Sequence, residues 1–123
     1  IQQPIQPTEI EFSLHDVITL VGQNFQIDRV QGERIGLNFD LLNQTLMLKP
    51  RYGGEKIRLN RRKDHRFLKK MLQEAKIAPW FRHQTQILMY HNVLLGVFTP
   101  LGFWLADSEF VEPNGWLPIL ERE

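Results

Sequence analysis

Apolar residues in this chain recur mostly at every second position, in short runs broken by glycine, proline and asparagine, and helical spacing is sustained only once. Alternation places successive side chains on opposite faces of an extended strand, so a chain of such runs folds as sheet. Ile10, Phe12 and Leu14 alternate with Glu9, Glu11 and Ser13, and residues 17–21 form a second run ended by Gly22 and Asn24. Phe25, Ile27 and, after a break, Val30 suggest a third strand. Gln31-Gly32-Glu33 reads as a turn, and Ile35, Leu37 and Phe39 as a fourth strand. Leu46 and Leu48 mark the next, before Pro50 and a Gly53-Gly54 turn, and residues 56–59 read as a short strand with one apolar and one basic face.

The helical spacing follows. Leu68, Met71, Leu72 and Ala75 fall at i, i+3, i+4 and i+7, which predicts a helix over about residues 64–76 with Asp64 as N-cap, Lys76 near its negative end and Pro79 beyond it. Residues 87–90 and 93–98 read as a hairpin turning at His91-Asn92, with Asn92 suited to a positive φ, and residues 103–105 and 116–120 as final strands. The expected fold class is α+β, mainly β: a strand-rich sandwich- or barrel-like domain with one amphipathic helix. Residues 1–8, with two prolines and three glutamines, read as a lead-in, and residues 9–123 as one domain.

At 123 residues the chain suits one ordinary domain, and 42% hydrophobic with 24% charged residues argue against pervasive disorder. The chain has no cysteine, which removes a disulfide framework, a cysteine nucleophile and a thiolate zinc site, and suits a reducing, cytoplasmic setting. No run approaches the roughly 20 apolar residues that span a bilayer. The first residues lack a signal-peptide pattern, and the missing initiator methionine suggests a piece of a longer protein.

The net charge of +1 conceals a strong asymmetry. Ten of the fifteen Lys and Arg residues lie between Lys49 and Lys70, opposed only by Glu55 and Asp64, so that segment carries +8 and the remainder −7. Positive potential concentrated in this way predicts an anionic partner, against the plainer reading of a solvated charged face. Arg61, Arg62, Lys63 and His65 crowd the approach to the expected helix, whose N-terminus is itself electropositive; a bound phosphate would relieve that frustration. Arg66, Lys69, Lys70 and Gln73 fall away from the apolar stripe. Trp80 can stack on a nucleic-acid end or close the core over the helix, whereas Phe81 reads as core; Arg82 suits a phosphate or an acid of the C-terminal segment.

Catalytic signatures are missing. There is no G-x-x-x-x-G-K-[ST] or G-x-G-x-x-G loop, no H-x-x-x-H or H-E-x-x-H spacing among the four histidines, and no G-x-S-x-G around Ser13 or Ser108. Asp107, Glu109 and Glu112 read as a solvated acidic loop. No catalytic, cofactor or metal residues are expected.

The stretch Leu68-Lys69-Lys70-Met71-Leu72-Gln73-Glu74-Ala75-Lys76-Ile77-Ala78-Pro79-Trp80-Phe81-Arg82 closely resembles the "LKKxxQExxxPPWLR" signature in the C-terminal domain of bacterial tRNA(Ile)-lysidine synthetases. The segment from Arg51 to Leu59 resembles that domain's "RxGGxxxRL", and that from Ile87 to Val97 its "PLLYxxxxLIAV" hairpin. Two positions depart: Gln86 stands where the family has proline, and His83 where an acid follows the motif arginine. The resemblance implies a fold shared with part of phenylalanyl-tRNA synthetase, and a non-catalytic domain that helps recognise the tRNA body and acceptor stem. In the family an N-terminal domain with an SGGxDS loop, absent from this sequence, uses ATP, with Mg, and lysine to convert the wobble cytidine of a CAU anticodon to lysidine.

The resemblance therefore implies tRNA(Ile) with a CAU anticodon and the chain's own catalytic domain as partners, leaves a homodimer open, and implies no membrane. Charge and resemblance together give Arg51, Lys56, Arg58, Arg61, Arg62, Lys63, Arg66, Lys69, Lys70, Trp80 and Arg82 as expected tRNA-binding residues. The alternative is a structural module docking its basic face on the catalytic domain or an acidic partner.

Overall fold

The computed structural model describes residues 7–51, 55–59, 64–82 and 84–121. The strands, in chain order, are β1 (Thr8–Ile10), β2 (Val17–Leu20), β3 (Gln23–Arg29), β4 (Ile35–Leu37), β5 (Leu46–Pro50) and β6 (Lys56–Ile57). They continue with β7 (Arg66–Phe67), β8 (Gln86–Tyr90), β9 (Val93–Thr99), β10 (Gly102–Leu105), β11 (Val111–Pro113) and β12 (Trp116–Leu120). A 3-10 helix (Phe39–Asn43) links β4 to β5, while α1 (Leu68–Glu74) and α2 (Pro79–Arg82) lie between β7 and β8. One antiparallel sheet has the order β1-β5-β8-β9-β10, a second β11-β4-β12-β3-β2, and β6 pairs with β7. The architecture is α+β and mainly β, with both large sheets open rather than closed into a barrel. No helix among the described residues is long and apolar enough to cross a membrane.

The two large sheets face each other. Leu46, Leu48, Leu88, Leu95 and Phe98 from the first meet Phe25, Ile27, Leu37 and Trp116 from the second, with Phe12, Val21 and Leu41 closing the ends. Trp116 is fully buried, and its indole N–H donates to the Asn38 carbonyl at 2.9 Å, which satisfies the one polar group such a residue carries inward. Phe98 is the aromatic hub, with ring centroids 5.1 Å from Phe25 and 4.8 Å from Phe103.

The first sheet is buried on both faces, because the alternate residues Ile87 and Val97 form a second cluster with Ile57, Leu68, Met71, Leu72 and Ile77. Helix α1 is thus a third layer. A register shift in the β8–β9 pair reconciles the two faces: Leu88 opposes Gly96 while Met89 opposes Leu94, leaving Leu95 as an extra inward residue. Gly96 is required there, since a β-carbon would fall into the Phe103 ring and against the Trp104 carbonyl.

Several expectations are corrected. The first strand stops at Ile10, although Phe12 beyond it is buried; the third is continuous from Gln23 to Arg29; Phe39 opens the 3-10 helix, capped by the Asn38 side chain, rather than ending β4. In the β8–β9 hairpin a positive φ falls on His91, at 53°. The helix begins at Leu68, not Asp64, because Arg66 and Phe67 are held extended by pairing with Ile57 and Lys56. Its N-cap is Phe67, with no side-chain hydrogen bond. It also ends at Glu74. Lys76 turns left-handed (φ 60°), its N–H and that of Ile77 donate to the carbonyls of Gln73 and Leu72, and Ile77 packs back into the same cluster. The alternation from Lys56 stops at Ile57, with Leu59 making an isolated bridge to Ala106, and α2 is an additional helix.

Candidate functional site

Beyond β5, the described part of the basic segment forms β6, β7 and the start of α1, which lie on the outer face of the first sheet. Leu68, Met71 and Leu72 bind α1 to that face, and 3.6-residue geometry then turns Lys69, Lys70 and Gln73 to solvent. Neither lysine forms a salt bridge among the described residues. The pair therefore presents two cations side by side on the exposed surface of the helix.

The other expected cations are arranged differently. Arg66 reaches along the helix to its far end and donates to both carboxylate oxygens of Glu74, at 2.6 and 2.5 Å. That hydrogen bond raises the Arg66 pKa further and holds the Glu74 carboxyl below its usual value, with a smaller contribution from Lys70. Arg58 pairs with Asp107, and the Asp107 N–H donates to the Arg58 carbonyl at 2.8 Å, fastening the basic segment to the loop after β10. Asp107 is therefore not part of a freely solvated loop, and Glu112 likewise accepts the Phe39 N–H at 3.2 Å. Lys56 holds its ammonium 4.8 Å from the centre of the Phe67 ring, its partner across the β6–β7 ladder. Glu55 supplies the carbonyl that accepts the Leu68 N–H at 2.8 Å. The first amide of the seven-residue helix is thus engaged within the domain, and Arg66 is directed to the helix's other end.

Arg51 lies one step past the last paired position of β5 and β8. Its Nε is buried without a hydrogen-bond partner among the described residues, as is the hydroxyl of Thr85, the residue preceding β8. The Arg82 Nε donates to the Ile77 carbonyl at 2.7 Å, which anchors α2 to the segment after α1, and among the described residues Arg82 forms no salt bridge with a C-terminal acid. Trp80 is 67% exposed and Phe81 43% exposed, their ring centroids 6.0 Å apart. Phe81 is consequently not core: α2 is a single turn with no buried residue, and Ile77 fills the space beneath. Arg61, Arg62 and Lys63, together with Gly53-Gly54 and His83, lie outside the described residues.

Sequence reasoning did not identify the carboxylates that engage two of these arginines. Glu74 lies eight residues from Arg66 and Asp107 forty-nine from Arg58, spacings that carry no local signal. Among the described residues no group of His, Asp and Glu could hold a metal ion.

A family profile described as the TilS substrate C-terminal domain matches residues 46–117, from β5 into β12. The chain is 60% identical over 68 residues to a tRNA(Ile)-lysidine synthase of Acinetobacter baylyi, covering 55% of this chain and 15% of that protein. It is 37% identical over 81 residues to the tRNA(Ile)-lysidine synthase of Nitrosomonas europaea, covering 63% of this chain and 18% of that one. The chain thus spans less than a fifth of the length of either relative. No solved structure gives a significant match. With the profile covering more than half of the chain and both relatives aligned to it, the chain belongs to the family of TilS substrate C-terminal domains.

Proposed function

We propose that this domain binds the body and acceptor stem of tRNA(Ile) bearing a CAU anticodon, on behalf of a catalytic domain in the same protein. That domain would use ATP, with Mg, and lysine to convert the wobble cytidine to lysidine in the cytoplasm. The domain itself contributes binding and no chemistry. The observation that carries the reading is the Lys69-Lys70 pair, exposed on α1 and without a salt-bridge partner among the described residues. Trp80 and Arg82 at the neighbouring single turn supply an aromatic face and a further cation. Arg51, Lys56, Arg58, Arg61, Arg62, Lys63 and Arg66 remain in the proposed binding set, with Arg58 and Arg66 exchanging a carboxylate for a phosphate on contact. Lysine ammonium groups on flexible stems suit backbone phosphates better than base edges, and the deep, narrow major groove of A-form RNA keeps side chains from its bases in any case.

The test is a titration of labelled tRNA(Ile) with the CAU anticodon into the domain at two salt concentrations, with an unrelated tRNA as control. If about four to six phosphates are neutralised, affinity falls steeply with salt, the logarithmic slope scaling with that number. Preferential, salt-sensitive binding is the expected result. Absent or indiscriminate binding would transfer recognition to the rest of the protein and leave this basic face as a dock for the catalytic domain.

A further inference from the structure

The three-layer packing is incomplete. Helix α1 and β6 cover Ile87 and Val97 but leave a groove along the outer face of the first sheet, with a volume of about 270 Å³. It is lined by Met89, Leu94, Pro50 and the edge of Ile87, with Lys49, Lys56 and Glu55 beside them. Met89 and Leu94 are register partners across the β8–β9 pair and both half-buried, while Met47 stands opposite Met89 on β5 and continues the apolar strip. Lys49 makes no salt bridge among the described residues.

We infer that this groove receives one unpaired nucleotide of the bound RNA, its base against Met89 and Leu94 and its flanking phosphates on Lys49 and Lys56; the inference rests on the tRNA reading above. Three features select that occupant. Met89 and Leu94 present half-buried apolar surface with polarizable methionine, which suits a base face. The two lysines beside it match a phosphodiester on either side, and their charge exceeds that of Glu55. The volume falls just below the roughly 300–1,000 Å³ of pockets for drug-sized ligands, so it admits a base with its sugar and excludes a duplex. Unstacked bases outside a helix are also the elements of RNA that proteins reach most readily.

Two RNA hairpins with the same stem, one blunt and one with a four-nucleotide unpaired 3′ extension, separate this inference from the broader one. The chain's methionines are Met47, Met71 and Met89, so methyl labelling gives three resonances, one under α1 and two on the strip. The extended hairpin is expected to bind about tenfold more tightly than the blunt one. Its binding should shift the Met89 methyl upfield by ring current and leave Met71 in place, and Lys49→Gln should remove most of the tenfold difference. Equal affinities would overturn the inference while keeping RNA binding. Tighter binding without a Met89 shift would also overturn it, because the nucleotide would then sit elsewhere. If neither hairpin nor intact tRNA binds, the tRNA reading itself fails and this inference fails with it.

Discussion

Cationic side chains in this domain divide by what already holds them. Arg58 and Arg66 are engaged by carboxylates, Lys56 by an aromatic ring, and Lys69 and Lys70 by no salt bridge among the described residues. In the proposed mechanism, an arginine already bound to a carboxylate must give up that partner to meet a phosphate. Asp107→Asn therefore has a signed prediction. The pair is partly exposed, so its loss should lower stability by less than about 1 kcal/mol, and the backbone hydrogen bond between the two residues survives. RNA affinity should rise about two- to threefold, since Arg58 is released and one negative charge is gone. Fluorescence anisotropy beside a thermal melt checks this. A fall in affinity would mean that Asp107 orients Arg58 instead of occupying it.

At the scale of the element, α1 separates its stabilising face from its proposed binding face. Leu72 is fully buried, and Leu72→Ala should cost about 2–5 kcal/mol in urea unfolding. Reversing both exposed charges, Lys69→Glu with Lys70→Glu, should weaken RNA binding by about tenfold or more at moderate salt. Thermal stability should stay nearly unchanged, the main effect being that a glutamate at position 70 would stand four residues before Glu74 on the exposed helix surface. Unfolding of the double variant would show the lysines to be structural.

The helix also shows where reading from sequence failed. Its apolar stripe was legible from spacing alone. Its ends were not: Asp64 is a suitable cap by residue type, yet pairing between β6 and β7 keeps the chain extended through Phe67. Phe81 departs from its expected place in the core for a related reason. An aromatic after an amphipathic helix usually closes the core, but here the left-handed turn at Lys76 brings Ile77 into that position and carries α2 outward.

On the scale of the whole molecule, the family match begins at β5, while the residues before it supply β1 to one sheet and β2, β3 and β4 to the other. Most of the second sheet thus comes from outside the matched region, and Trp116, near its end, packs against Phe12 from that earlier part. Strands β8 and β9, central in the first sheet and covered on both faces, should exchange their amide hydrogens slowest, through global unfolding. The sheet-edge strands β2 and β11 should exchange through local opening. Hydrogen-exchange mass spectrometry resolves the two classes, and equal protection across them would contradict the layered core.

From the sequence alone came the alternation that dictates strands, the single stripe that dictates a helix, the basic block and the motif that identifies the family. All of these are local patterns, with periods of a few residues or runs of adjacent ones. Only the tertiary structure decided which cations are engaged, which aromatics are exposed, and that the first sheet has two buried faces with a groove left open on one of them. Each of those depends on residues brought together across tens of positions, such as Arg58 with Asp107 or Met47 with Met89, and on strand register. Local periodicity encodes which face a side chain takes on its own element, and packing between elements decides what that face meets.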